Sequence, residues 1–246
     1  MQRIAIFGAL QWECRAVVRH VRSVRRERAA AFVVWRGQVP DHEVSIVKTG
    51  VGMQRAAAAA DALGDLAQFD LIVSTGCAGG LAPELRPGDL VLATAIVCDG
   101  RSTGYGTDAA RRAGALRTAA AAELHAVEGA VLCSASALVS ASEKRAAAAG
   151  GAIAVEMESD PIAARAAAAR IPFLSVRAVL DGAHHELSVP ESLTDATSGA
   201  VRPLAVARYI ASHPGVIPEL VALQRMQRAA SVSLERFFAR WLTTPF

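Results

Sequence analysis

Four acidic side chains stand where the chain leaves an apolar run. Glu13 lies just beyond residues 4–7, Glu156 and Glu158 flank Met157 after residues 152–155, and Asp181 closes residues 173–180. Ligands of open α/β sheets gather at the carboxyl ends of strands, so acids delivered to several such ends can meet in one cleft. Carboxyl groups brought together there could divide proton donation from base work or hydroxyl binding. Each acid alone has a plainer use, because a carboxylate in the first turn of a helix satisfies backbone donors and the dipole. Their joint placement beside three glycine turns argues for a shared cleft.

Those turns are Gly8-Ala9-Leu10-Gln11-Trp12-Glu13, Thr49-Gly50-Val51-Gly52-Met53-Gln54-Arg55 and Ser74-Thr75-Gly76-Cys77-Ala78-Gly79-Gly80-Leu81. Glycine lets backbone N–H groups approach a ligand closely, and a helix starting after the turn favours an anion or a hydroxyl oxygen. The second turn opens an alanine-rich stretch, which makes Gly52 and Arg55 candidates for a phosphate site; a surface arginine on a helix is the alternative account of Arg55, of equal weight. Arg55 also stands where a dinucleotide-binding fingerprint needs its third glycine, so a flavin- or dinucleotide-binding module is disfavoured. Cys14, Cys77, Cys98 and Cys133 form no CxxC pair and lack histidines at zinc spacing. His184 and His185 are adjacent, would point apart in most backbones and find no third ligand, so an exposed loop is expected there and no metal.

The elements that must position these residues can be read from hydrophobic patterning. Apolar runs at 4–7, 44–47, 71–74, 90–97, 130–133, 153–155 and 173–179 lack strict polar alternation, as strands covered on both faces do. Alanine-rich stretches at 54–66, 109–124, 143–149 and 161–169 predict helices, since alanine loses little side-chain entropy there. Alternating strands and helices imply an α/β fold, a three-layer sandwich. With no linker and no repeat, residues 1–246 read as one domain. Trp12, Trp35 and Trp241 are expected to pack rather than to stack on a base.

Composition removes other classes. The chain has 246 residues, 52% of them apolar, and a net charge of +3, too near balance for a protein that coats nucleic acid. That apolar content excludes disorder, and four scattered cysteines exclude a secreted disulfide scaffold. The N-terminus reads as a strand entering a glycine turn rather than as a secretory leader, and charges interrupt every alanine tract, so a cytoplasmic protein is expected. The segment 201–242 predicts two helices broken near His213-Pro214-Gly215 and packed on the domain. Arg202, Arg208, Arg225, Arg228, Arg236 and Arg240 face only Glu219 and Glu235 there. This is either a solvated arginine face or a peripheral contact with an anionic inner membrane surface.

Four stretches together resemble the nucleoside phosphorylase and methylthioadenosine/adenosylhomocysteine nucleosidase family. They are the first glycine turn, Ser74–Pro83 with Arg86-Pro87-Gly88-Asp89-Leu90-Val91, the string Ala154-Val155-Glu156-Met157-Glu158-Ser159, and Pro172-Phe173-Leu174-Ser175-Val176-Arg177-Ala178-Val179-Leu180-Asp181. The tail is similar to a hopanoid-associated branch. The resemblance implies a three-layer αβα sandwich with a central mixed sheet, at least a dimer, and cleavage of the N-glycosidic bond of a purine nucleoside without a resident cofactor. By resemblance, Asp181 is the general acid that protonates purine N7, and Glu13 orients and deprotonates the attacking water. Glu158 holds the ribose 2′ and 3′ hydroxyls and Met157 lies under the sugar, with Glu156, Cys77, Ala78, Gly79 and Leu138 as further substrate contacts. Asp181 must carry a proton to give one, which burial would favour.

Departures from the family pattern leave two points open. Ser74 replaces an arginine that phosphorylases aim at phosphate, which favours water, whereas Arg55 favours phosphate as a co-substrate. Cys77 replaces a serine, and a thiol is a weaker hydrogen-bond partner. Ala137 stands where nucleosidases place a phenylalanine against adenine, so a wider pocket is expected. It would suit a bulky apolar 5′ substituent such as that of adenosylhopane. A nucleoside-binding protein that has lost turnover is the alternative.

Overall fold

The computed structural model describes residues 1–98, 104–186, 195 and 202–244. The chain opens with β1 (Gln2–Gly8), α1 (Gln11–Val18), β2 (Arg22–Ala29), β3 (Phe32–Val39), β4 (His42–Lys48) and α2 (Met53–Ala62). It continues through β5 (Leu71–Gly80), β6 (Leu90–Cys98), β7 (Tyr105–Gly106), α3 (Ala109–Ala121), β8 (Ala126–Cys133) and α4 (Ala141–Ala148). β9 (Ala152–Glu156), α5 (Ser159–Ala169), β10 (Phe173–Asp181), α6 (Pro203–Ser212) and α7 (Ile217–Trp241) complete it.

The ten strands form one mixed sheet in the order β10-β6-β8-β9-β5-β1-β4-β3-β2, with β7 paired to β6. β1 is parallel to β4 and β5, and β10 is parallel to β5. The long β5 also pairs antiparallel with β9 through Gly79 and Gly80, so β5, β9, β8, β6 and β10 close a ring. The register between β10 and β5 slips between Val179 and Asp181. Such a bulge re-aims the residue that follows it, here Asp181.

Two apolar layers flank the sheet, which accounts for the strands without polar alternation. Along β1, Ala5 and Phe7 join α2 and α5 in one core, whereas Ile4 and Ile6 join α1, α3 and α7 in the other. The expected sandwich is therefore present, and its sheet is mixed. Five elements differ from the sequence expectation. The first glycine turn continues into α1. β2 is the edge strand of the sheet, with seven of its eight residues exposed and an arginine at four of them, and β3 lies between it and β4. Charged edge strands resist pairing with other chains and carry no hydrophobic pattern to betray them. The alanine helices end earlier than expected, α2 at Ala62 and α3 at Ala121, where Gly64 and Glu123 take positive φ. The tail does form two helices with a break at 213–216; residue 201 lies outside the described residues.

Candidate active site

The carboxyl ends of β1, β5, β9 and β10 meet at one cleft of about 190 Å³, and Glu13, Glu156, Glu158 and Asp181 all line it. Glu13 lines the cleft and also satisfies backbone donors, the plainer use foreseen for it. As the third residue of α1 it accepts the Leu10 N–H at 2.8 Å through Oε2, and across the sheet its Oε1 accepts the Cys77 N–H at 2.8 Å. Burial pushes the Glu13 carboxyl up, while those two N–H groups and Arg177 pull it down.

Gly76 lets Glu13 lie so close to β5. Its φ is +150°, and a Cβ there would sit 2.7 Å from Glu13 Oε1 and 2.8 Å from Arg177 Nη1. The neighbouring Cys77 thiol hydrogen-bonds Glu13, and burial together with Glu13 raises it well above an ordinary thiol, so it stays protonated.

Glu158 stands at the N-cap of α5, buried, with Oε1 accepting the Gly52 N–H at 2.8 Å. Burial and then the adjacent Glu156 push it up to about 7, against Arg177 and the Gly52 N–H. The second glycine turn thus points its N–H at a carboxylate of the chain itself. Arg55, grouped with Gly52 as a phosphate candidate, is directed elsewhere. Its Nε donates to the Thr49 carbonyl at 3.2 Å and its guanidinium lies 5.6 Å from the Phe32 ring centre.

Glu156 was expected to touch substrate, but its oxygens are already engaged. They accept the N–H groups of Glu158 and Ser159 at 2.9 Å each and Arg177 Nη2 at 2.5 Å. Arg177 also reaches the hydroxyls of Ser74 at 2.7 Å and Ser159 at 2.6 Å. This fully buried set fixes the turn that presents Met157 and Glu158. Sequence reasoning missed Arg177 as a functional support, although a lone arginine inside an apolar strand signals a buried partner.

Asp181, 3% exposed, ends β10 at the bulge, and a Cβ on Gly79 would lie 3.6 Å from its Oδ1. Its Oδ2 is held by the ammonium of Lys144 from α4. Burial was expected; a buried cation against the carboxyl was not, because nothing in the run Ser140–Ala148 marks the inward face of α4. Most of the remaining wall is apolar, with Leu10, Val51, Ala78, Leu138, Met157 and Leu180, and Ser136 adds a hydroxyl. Ala137 is exposed at its rim, and His184 is exposed on the loop after β10. Trp35 and Trp241 are core residues, as expected.

A family model described as the phosphorylase superfamily matches residues 3–212. The 5′-methylthioadenosine/S-adenosylhomocysteine nucleosidase of Haemophilus influenzae (strain 86-028NP) is 29% identical over 205 residues, 76% of this chain and 89% of that protein. The nucleosidase of that name from Neisseria meningitidis, solved with methylthio-immucillin-A, superposes with a TM-score of 0.76 over 99% of each chain at 19% identity. The one from Colwellia psychrerythraea 34H, solved with adenine, gives 0.75 over 98% of this chain and 94% of that one at 20% identity. At such identities these two structures speak for the fold.

Proposed function

Because the chain belongs to the phosphorylase superfamily, we propose that it hydrolyses the N-glycosidic bond of a purine nucleoside and releases adenine. The observation that carries the choice of water is the charge of the cleft. Four carboxyl side chains line it, and among the described residues no lysine, arginine or histidine does. A phosphate dianion would meet no positive side chain there, and the Gly52 N–H that could greet it is taken by Glu158.

Water is the nucleophile in this reading. It attacks C1′ and loses its proton to Glu13, which two backbone N–H groups hold in place. The C1′–N9 bond breaks with its electron pair going to the base, and Asp181 delivers a proton to N7. Glu158 grips the 2′ and 3′ hydroxyls through charge-assisted hydrogen bonds, and its charge near the oxocarbenium-like sugar gains strength in the transition state. Met157 lies under the ribose. The products are adenine and the free 5′-substituted ribose.

The 5′ substituent is a bulky apolar group of the adenosylhopane kind. Support comes from the apolar wall, from the open rim at Ala137, and from the tail. There Leu204, Ile217 and Val221 are exposed beside Arg208, Arg225 and Arg228, a composition suited to peripheral contact with anionic lipid. Pelleting with anionic vesicles tests that contact, and sedimentation tests the accompanying proposal of a homodimer. No helix among the described residues is long and apolar enough to cross a membrane.

Mass analysis of the sugar product with and without phosphate decides the reaction. Free sugar in both conditions is expected. Sugar 1-phosphate formed only with phosphate would replace hydrolysis by phosphorolysis, and tight nucleoside binding without base release would leave a binding protein.

A further inference from the structure

Resting on the glycosidic reading above, we propose that Lys144 is a positioning residue for Asp181, holding one carboxyl oxygen so that the transferable proton is directed to the other. Lys144 is 1% exposed, and its ammonium has three acceptors: Asp181 Oδ2, the Gly182 carbonyl at 2.9 Å and the His185 carbonyl at 2.9 Å. An ammonium has three donors, so this set saturates it.

The consequence for the acid is geometric. A donor N–H pointing at Oδ2 disfavours a proton on that oxygen, because a carboxyl hydroxyl is a weaker acceptor than a carbonyl oxygen. When the carboxyl is protonated, the proton therefore favours Oδ1. That oxygen receives no hydrogen bond among the described residues and lies beside Gly79 of the cleft wall. Rotation of the carboxyl, which would turn the proton away from a bound base, breaks the contact with Lys144. The two carbonyl contacts bind residues 182 and 185 to the same ammonium, so the chain leaving β10 is held with the acid.

The anchor is itself rooted. Lys144 lies one turn into α4, and Ser140 and Glu143 cap that turn reciprocally, the Ser140 side chain taking the Glu143 N–H at 3.2 Å and Glu143 Oε2 taking the Ser140 N–H at 2.9 Å. The residue type fits as well. Of 26 basic residues only Lys48 and Lys144 are lysine. A compact ammonium can meet three acceptors in three directions, whereas the planar arginine fork suits paired oxygens.

Two leaving groups separate positioning of the acid from general support of the fold. Adenine needs a proton to depart; 4-nitrophenolate does not. The probes are a 5′-substituted adenosine that the wild-type protein cleaves and the 4-nitrophenyl riboside with the same 5′ group. For Lys144→Met, kcat for adenine release should fall on the order of 100-fold with KM little changed, the usual consequence of misplacing a reacting group by about an ångström. Cleavage of the nitrophenyl riboside should stay within about threefold of wild type. Equal losses on both substrates, or no loss on either, overturn the proposal. If Lys144→Met does not fold, the double variant Lys144→Met/Asp181→Asn removes both buried charges together. It should match Asp181→Asn alone on the nitrophenyl riboside, and a further loss there overturns the proposal. A wild-type protein that releases adenine from no nucleoside refutes the glycosidic reading instead.

Discussion

Burial and chemistry pull Glu158 in opposite directions, since a buried carboxyl prefers its proton and a carboxyl that grips a diol must lose it. With its folded value at about 7 against an ordinary 4.5, the folded chain binds a proton that the unfolded chain has released between those two values. The stability this group contributes is full below 4.5 and is lost as pH rises through 7. Glu158→Gln should therefore melt higher than wild type at pH 8, by about 2–4 °C for each kcal/mol relieved, with the gap closing toward pH 5. Melting curves at both pH values check this, and a constant gap contradicts it. For the wild type, kcat/KM should fall below pH 7 as Glu158 takes up its proton, and Glu158→Gln should lose activity at every pH. Asp181→Asn keeps the shape of the acid without a transferable proton. It should lower adenine release by about 10²–10⁴-fold, and retention of most activity would remove Asp181 from the role.

At the scale of elements, the site is as tight as the strands that carry it. Gly76→Ala would place a methyl group against Glu13 Oε1 and Arg177 Nη1 in a strand whose backbone cannot retreat. A cost of about 1–3 kcal/mol, typical of overpacking, is expected together with a loss in kcat larger than any change in KM. Calorimetry and steady-state kinetics measure the two effects. The same scale explains what could be read from the chain in advance. Glu13, Glu158 and Asp181 were legible because each lies at or just beyond the end of an apolar run, and strand ends converge in this architecture. Both α1 and β2 were hidden, the first by a glycine turn that reads as complete, the second by arginines that a solvent-facing edge tolerates. Gly52 and Glu158 were both singled out, yet their mutual hydrogen bond was invisible because sequence spacing does not reveal which N–H finds which carboxylate. Lys144 gave no signal, since a lysine on a short alanine helix is usually solvated.

For the whole molecule, α7 closes the core behind the site, packing on α1 and β10, the elements that carry Glu13 and Asp181. Phe238 is fully buried there, with its ring 5.8 Å from Trp241 and 5.2 Å from Phe237. Phe238→Ala should cost about 3–5 kcal/mol and lower the melting temperature by roughly 10 °C, as thermal denaturation can test. Glu13 to Cys77 spans 64 positions and Gly52 to Glu158 spans 106. A chain still emerging from the ribosome thus lacks a complete working cleft until β10 has been synthesised and docked. Nucleoside affinity then reports completion of the entire fold. A ligand at a hundred times its Kd should delay thermal unfolding by about 2.7 kcal/mol, in one cooperative step with no early loss of the site.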